Sequence, residues 1–346
     1  MGFQVAQIFD VRGMPDYAQV FKQAGADIEL VKKMCHSGDE IIATAKDADA
    51  VIGAVAVQPM PRQVLEALAK CRFIQSFGVG YDGVDVAAAT ELGIMVANVP
   101  DYCAEEVSDH TMALILASTR KIVSLNEAVR AGKWDAEPSQ YIQQNIWPKL
   151  SRLHGQTIGL VGFGRMSQTL VPKAKSFGLR IIAYDPYTPE SVFAQFGVER
   201  VNLDKLLRES DIVSLHCALT DETRGLMNMK RFEKMKPTAY LINASRGPVV
   251  DTNALYQALT KGLLAYAALD VVDPEPINMD NPILKLDNVI ITAHNAAISP
   301  IAAAELWKRP GEEIINVLIK KQRPRGLVNP QVKESYQQKW KQEWND

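Results

Sequence analysis

Short β-rich runs alternate with helical patterns along most of this chain, and no other feature restricts the fold as much. The runs fall at residues 5–9, 28–31, 50–54, 73–76 and 94–97, then at 157–161, 179–184, 211–215, 239–242, 266–269 and 289–292. The stretches between them carry apolar residues at helical spacing. A helix between two strands returns the chain to the same end of the sheet, so the strands pair in parallel. The second series, with six strands, predicts a Rossmann-type doubly wound parallel sheet. The first predicts a smaller flavodoxin-like α/β domain. A helical pattern at about 299–320 leads back to that smaller domain, before a polar tail. The expected division is residues 1–102 and 299–346 against an inserted 103–298, and 346 residues suit two such domains.

Between the two series lies one long helical pattern from residue 104 to about 121, with Val107, Met112, Leu114, Ile115 and Ile122 on its apolar side. Residues 132–150 then turn irregular, with Gly132, Pro138, Pro148 and two tryptophans, and read as a surface arm. Apolar aromatics on such an arm point to burial against a partner subunit.

Charge excludes some functions. The 38 Lys and Arg nearly balance the 40 Asp and Glu, so no field is available to attract nucleic acid. The most basic stretch, residues 320–325, is short and interrupted by Pro324, and reads as a solvated face. Four cysteines at 35, 71, 103 and 217 form no Cys-x-x-Cys, which disfavours a zinc site or a disulfide framework and suits a reducing compartment. The N-terminus opens on a strand-like run rather than a charged leader, and no apolar run approaches the ~18 residues that span a membrane. The expectation is a cytoplasmic protein with no membrane or nucleic-acid partner and no metal.

In an open α/β sheet, ligands bind beyond the carboxyl ends of the strands. The first strand of the second series ends in Gly162-Phe163-Gly164-Arg165-Met166-Ser167. Gly162 permits a tight turn, and Gly164 lets backbone N–H groups approach a pyrophosphate at a helix N-terminus. Ser167 replaces the third glycine of that motif, whose role is close helix–strand packing. The second strand ends in Asp185, placed to bind adenosine ribose hydroxyls and repel a 2′-phosphate. With no arginine following immediately, NAD is favoured over NADP. Capping of the segment at Pro186 is the competing use of that carboxylate.

The remaining strand ends carry His216-Cys217, then Ala244-Ser245-Arg246-Gly247, then Asp270 with Glu275, then His294. A cation, an acid and a histidine on one rim suit hydride transfer to a 2-oxo acid. That reaction needs its carboxylate held, its carbonyl polarised and a proton delivered. Arg246 suits the first two because its planar fork grips a carboxylate, and His294 suits the third because imidazole titrates near neutrality. Glu275 would orient the imidazole and favour its charged form. Of the other histidines, His36 lies in a polar loop and His154 in a turn. His110, within the long helix, reads as a packing or capping residue, and His216 is the weaker of the two at sheet ends.

With these residues in place, the chain resembles the D-isomer-specific 2-hydroxyacid dehydrogenases from about residue 40 to residue 330. The motifs are Gly78-Val79-Gly80-Tyr81-Asp82, Asn98-Val99-Pro100, residues 161–166, Ala244-Ser245-Arg246-Gly247, residues 270–276 and His294. Residues 101–106 and the long helix are similar to a bacterial branch resembling eukaryotic C-terminal-binding proteins. The resemblance implies Arg246 as substrate anchor, Glu275 as partner of His294, and His294 as acid/base. It implies that the N–H groups of Val79 and Gly80 help hold the substrate carboxylate, which makes 1–102 with 299–346 the substrate domain and 103–298 the NAD-binding domain. Arg165 and Met166 would bind pyrophosphate, and Cys217, Ala244 and Asp270 would border the rest of the dinucleotide, with His216 and Ser245 beside them. It also implies a homodimer, clasped through the cofactor domain and an arm such as residues 122–150. Ala218 and Ala293 stand where the family usually has proline, which relaxes the preceding residue's backbone.

The function expected is NAD-dependent interconversion of a small 2-oxo acid and its D-2-hydroxy acid. The alternative is an NADH-gated, corepressor-like binding dimer with little turnover. A third reading puts another oxyanion, such as phosphite, in the carboxylate's place. Neither the particular acid nor the direction of reaction is written in the sequence.

Overall fold

The structure is a computed structural model and describes residues 2–134 and 140–343. It divides into two compact units, Met1–Tyr102 with Ser299–Asp346, and Cys103–Ile298.

The first unit contains a five-stranded sheet of β1 (Phe3–Gln7), β2 (Ile28–Lys32), β3 (Ala50–Gly53), β4 (Phe73–Ser76) and β5 (Met95–Ala97), in the order β2-β1-β3-β4-β5. All pairings are parallel. This is the flavodoxin-like order. Strands β3 to β5 are wholly buried, because helices cover both faces of a parallel sheet.

The C-terminal segment joins this unit through specific bonds. A helix, Pro300–Ile314, starts at Ser299, whose hydroxyl accepts the Ala302 N–H, and it has Pro at its first position. The Tyr17 hydroxyl donates to the Trp307 carbonyl at 2.7 Å. Further on, Asn329 is fully buried and accepts the Val96 N–H at 2.9 Å while donating to Thr90 and the Ile94 carbonyl. The expected polar tail is corrected here. A helix, Lys333–Trp340, packs with Tyr336 fully buried, the Trp340 indole N–H on the Gly93 carbonyl at 2.7 Å, and the Arg72 guanidinium over the Trp340 ring at 4.6 Å. Trp344 lies outside the described residues.

The second unit contains β6 (Thr157–Val161), β7 (Arg180–Tyr184), β8 (Glu199–Arg200), β9 (Ile212–Leu215), β10 (Tyr240–Asn243), β11 (Tyr266–Leu269) and β12 (Val289–Ile291). The order is β12-β11-β10-β9-β6-β7-β8, again parallel throughout. The sheet has seven strands rather than six, because the two-residue β8 adds an edge. Two apolar clusters cover the opposite faces of this sheet, one around Leu206, Leu255 and Leu241, the other around Leu170, Phe163 and Ile115. The strand order reverses between β6 and β9, so the crevice that binds ligands in such sheets opens beyond their carboxyl ends.

The long helix runs Ala104–Thr119. The arm is more regular than expected. It holds helices Ile122–Arg130 and Gln140–Asn145 and a turn of 3-10 helix, Trp147–Lys149. Pro138 lies outside the described residues. Among the described residues no helix is long and apolar enough to cross a membrane. No group of three His, Cys, Asp or Glu among them is placed to hold a metal ion.

Candidate active site

The glycine turn follows β6 directly. Gly162 has φ +90, and a Cβ there would lie 2.7 Å from the Cys217 nitrogen, so both backbone conformation and the approach of β9's exit require glycine. Gly164 is different. A Cβ there would meet nothing within 4 Å, yet the residue caps the Arg165–Ser176 helix with no side-chain hydrogen bond. A twelve-residue helix thus begins at Arg165 and Met166, whose N–H groups have no acceptor among the described residues. Those groups and the helix dipole favour an anion, and a pyrophosphate fits the place. Ser167, the departure from the glycine motif, is fully buried and donates its hydroxyl to the Gly162 carbonyl at 2.6 Å. The serine therefore laces the turn to the helix where a third glycine would only have left room.

Asp185 does two jobs. One oxygen accepts the Phe163 N–H at 2.8 Å, tying β7's end to the glycine turn, and the other accepts the N–H groups of Tyr187 and Thr188. The capping role is realised. A carboxylate offers about four acceptor sites, so a ribose hydroxyl can still be bound. One cation that the sequence reading missed comes near. Arg200, on β8, donates to the Asp185 carbonyl at 3.0 Å, and its guanidinium also meets Glu190. Fifteen residues separate it from Asp185, so only the fold reveals it.

Beyond β9, the His216 Nε2 meets the Ser214 hydroxyl at 2.8 Å, and Nδ1 is buried without a partner among the described residues. Burial lowers the imidazole to about 4, so it is neutral at physiological pH. Burial also pushes the Cys217 thiol up to about 11, which keeps it uncharged and unreactive.

The loop after β10 is shaped by Asn243, a residue without an assigned role in the sequence reading. Fully buried, it accepts the Ser245 N–H at 3.0 Å and the Ser245 hydroxyl at 2.8 Å, and donates to the Arg246 carbonyl at 3.0 Å. Gly247 follows, and a Cβ there would lie 1.7 Å from the Val272 carbonyl oxygen. The arginine loop is therefore pressed against the loop after β11.

That second loop carries Glu275. Its Oε1 accepts the Val272 N–H at 3.1 Å, and its Oε2 lies 2.8 Å from His294 Nδ1. Burial would raise the Glu275 carboxyl, but the His294 hydrogen bond and charge, the Val272 N–H and the Arg246 charge together hold it below its ordinary value. With Nδ1 engaged, Nε2 is the ring atom left for chemistry.

His294 has φ +53, which costs a non-glycine residue about 1–2 kcal/mol. Asp270 offsets that cost. It is buried, and its carboxylate accepts the Thr292 hydroxyl at 2.6 Å and the N–H groups of Asn295 and Ala296 at 2.9 Å, while its carbonyl accepts the His294 N–H at 2.8 Å. Burial would raise this acid. Hydrogen bonds from His110, Thr292, Ala296 and Asn295 hold it far below the usual carboxylate range. The loop thus has the rigidity that a proline at position 293 would otherwise have supplied. His110 needs correcting too. It is not a packing or capping residue, for its Nε2 lies 3.0 Å from the Thr292 hydroxyl and 3.3 Å from Asp270.

Two further candidates lie in the first unit, described by itself. The Val79 carbonyl accepts from the Asn98 amide at 2.6 Å, and the Gly80 carbonyl accepts from Ser76 at 2.6 Å. Their N–H groups donate to no protein acceptor among the described residues, so they remain open to an anion.

Residues 112–296 match the family described as D-isomer specific 2-hydroxyacid dehydrogenase, NAD binding domain. A glyoxylate reductase of Korarchaeum cryptofilum is 40% identical over 297 residues, covering 84% of this chain and 86% of that protein. A D-3-phosphoglycerate dehydrogenase of Methanocaldococcus jannaschii is 38% identical over 304 residues, 88% of this chain and 55% of that protein. The D-lactate dehydrogenase of Aquifex aeolicus, crystallised with NAD and lactic acid, superposes with a TM-score of 0.76 at 26% identity, over 92% of this chain and 95% of that one. A doubly wound sheet with this rim defines a dinucleotide-dependent dehydrogenase. The chain belongs to the D-isomer-specific 2-hydroxyacid dehydrogenase family and is an NAD-dependent oxidoreductase.

Proposed function

We propose that the protein reduces a small 2-oxo acid to the corresponding 2-hydroxy acid, glyoxylate to glycolate foremost and the D-isomer wherever C2 becomes a stereocentre, with Arg246, Glu275 and His294 as the catalytic set. The 2.8 Å His294–Glu275 pair, on a rim whose loops are locked to the Arg246 loop, carries this reading. Glyoxylate enters as the substrate of the Korarchaeum cryptofilum relative. Held by the glycine turn and the Arg165–Ser176 helix, NADH would supply the hydride for the carbonyl carbon. Arg246 binds the carboxylate and draws charge toward the carbonyl oxygen as it becomes an alkoxide. His294 delivers a proton to that oxygen from Nε2, and Glu275 stabilises the imidazolium beforehand through Nδ1. Substrate, hydride and one proton give the hydroxy acid. The N–H groups of Val79 and Gly80 are assigned to the substrate carboxylate on the resemblance and on their open state.

The cofactor set is Gly162, Gly164, Arg165, Met166, Asp185, His216, Cys217, Ala244, Ser245 and Asp270. Asp185 favours NADH over NADPH. Its charge opposes a 2′-phosphate, and Arg200 is already committed to Asp185 and Glu190.

The test is a panel of 2-oxo acids with NADH and NADPH side by side, repeated with two variants. Arg246→Ala should raise KM and lower kcat together, and His294→Ala should act mainly on kcat, by about 10²–10⁴-fold. Wild-type turnover in both variants would overturn the assignment. Tight NADH binding without oxidation across the panel would favour a corepressor-like role.

A homodimer is part of the proposal. Ile122, Val129, Trp134 and Trp147 are 54%, 45%, 70% and 55% exposed along the arm, a concentration of bare apolar side chains that a second subunit would cover. Light scattering should give twice the chain mass, and Val129→Glu with Trp147→Glu should shift it toward the monomer.

A further inference from the structure

We infer that His110 is a positioning residue for the reaction: through Thr292 and Asp270 it fixes the left-handed turn that aims His294. The inference rests on the catalytic role proposed for His294.

Asp270 is ionised and can only accept. The Thr292 hydroxyl has one proton and places it on Asp270 Oδ1 at 2.6 Å. Toward His110 that hydroxyl can then only accept. His110 Nε2, at 3.0 Å from Thr292 and 3.3 Å from Asp270, must therefore be the donor, sharing its N–H between the two. The imidazole is held as the Nε2–H form or as the imidazolium.

Each link then bears on the next. Removing the His110 N–H takes a donor from Asp270 Oδ1, the same oxygen that accepts the Asn295 N–H, and loosens the Thr292 rotamer. Asp270 holds the left-handed residue through its carbonyl on the His294 N–H and its carboxylate on residues 292, 295 and 296. A relaxed turn swings the ring away from Glu275 Oε2. The effect is on where the proton is delivered, not on whether substrate binds. His110 sits in the Ala104–Thr119 helix, whose buried face, including Thr111, Leu114 and Ile115, makes it a rigid base from which to brace a loop.

The experiment uses the full-length enzyme with NADH and whichever 2-oxo acid turns over fastest. His110→Phe should lower kcat about 10–100-fold and change KM less than about 3-fold, as expected for a misplaced acid. His110→Gln retains a side-chain N–H donor and should recover kcat to within about 5-fold of wild type. Thr292→Val, nearly isosteric, breaks the same link and should also lower kcat about 10–100-fold, which gives the test a second variant should the phenylalanine fold poorly. In a His294→Ala background, His110→Phe should cost less than about 3-fold more, because there is no acid left to aim. A kcat within 3-fold of wild type in both His110→Phe and Thr292→Val, or a full additive loss in the His294→Ala background, would overturn the inference. Wild-type kcat in His294→Ala itself would overturn the proposed catalytic set and the inference with it, a result distinguishable from the other two.

Discussion

Glu275 holds His294 from a fixed point: one carboxylate oxygen is 2.8 Å from the imidazole Nδ1 while the other is tied to the Val272 N–H at 3.1 Å. The side chain cannot follow the ring if the ring moves. Histidine orientation is thus set by the backbone of the β11 exit rather than by a mobile carboxylate.

On that basis Glu275→Gln should lower kcat by about 10²-fold, since an amide can keep a hydrogen bond to Nδ1 but cannot stabilise the imidazolium. KM should move little. Stopped-flow single turnovers with NADH measure the step directly, and an unchanged rate would remove Glu275 from the catalytic set.

Gly247→Ala tests the lock between the arginine and glutamate loops. A methyl group 1.7 Å from the Val272 oxygen forces the two loops apart. The expected cost is about 1–3 kcal/mol of stability, with a higher KM for the 2-oxo acid as Arg246 shifts. Chemical denaturation and steady-state kinetics read the two effects.

His216 predicts a pH dependence. Its folded value, about 4, lies below the ordinary 6.5, so between those values the unfolded chain binds more protons. Stability should rise with pH across that window and fall as the protein is acidified, by at most ~1.4 kcal/mol per pH unit from this group. In His216→Asn the slope between pH 4 and 6.5 should flatten relative to wild type, as measured by urea unfolding of the apo protein at several pH values. An unchanged slope would remove His216 as its source.

Trp340→Ala should destabilise the first unit by about 2–3 kcal/mol, because the substitution removes a large side chain, its stack on Arg72 and its bond to Gly93. Catalytic constants measured well below the melting temperature should stay near wild type. Differential scanning calorimetry gives the shift.

What the sequence made legible follows from where each signal is local. Most strand positions in both sheets were readable because they are short apolar runs, many of them β-branched or aromatic, between helical patterns. The rim was readable because ligands in such sheets gather at strand ends, so Arg246, Glu275 and His294 could be proposed as a set by looking where the strands stop. β8 was not readable, because Glu199 and Arg200 are both exposed and carry no apolar alternation. Nor was the C-terminal helix, whose apolar signal is essentially Tyr336 and Trp340 in an otherwise polar segment. His110 stands 182 residues from Thr292, and no periodicity or motif connects them. Ser167 was legible only as a departure from the glycine motif, whereas its hydroxyl has a use that appears when the Gly162 carbonyl is brought beside it.

The lacing of the three strand-end loops also bears on how such an enzyme can change. Gly247 abuts Val272, Val272 binds Glu275, and Glu275 binds His294, so a substitution in any one loop is felt in the others. Adaptation toward a new acid is therefore channelled away from this rim. Diversity among descendants of this sequence should accumulate outside these loops, while the sequence from Asn243 to Gly247 drifts slowly, and a library built to retarget the enzyme should leave that stretch fixed.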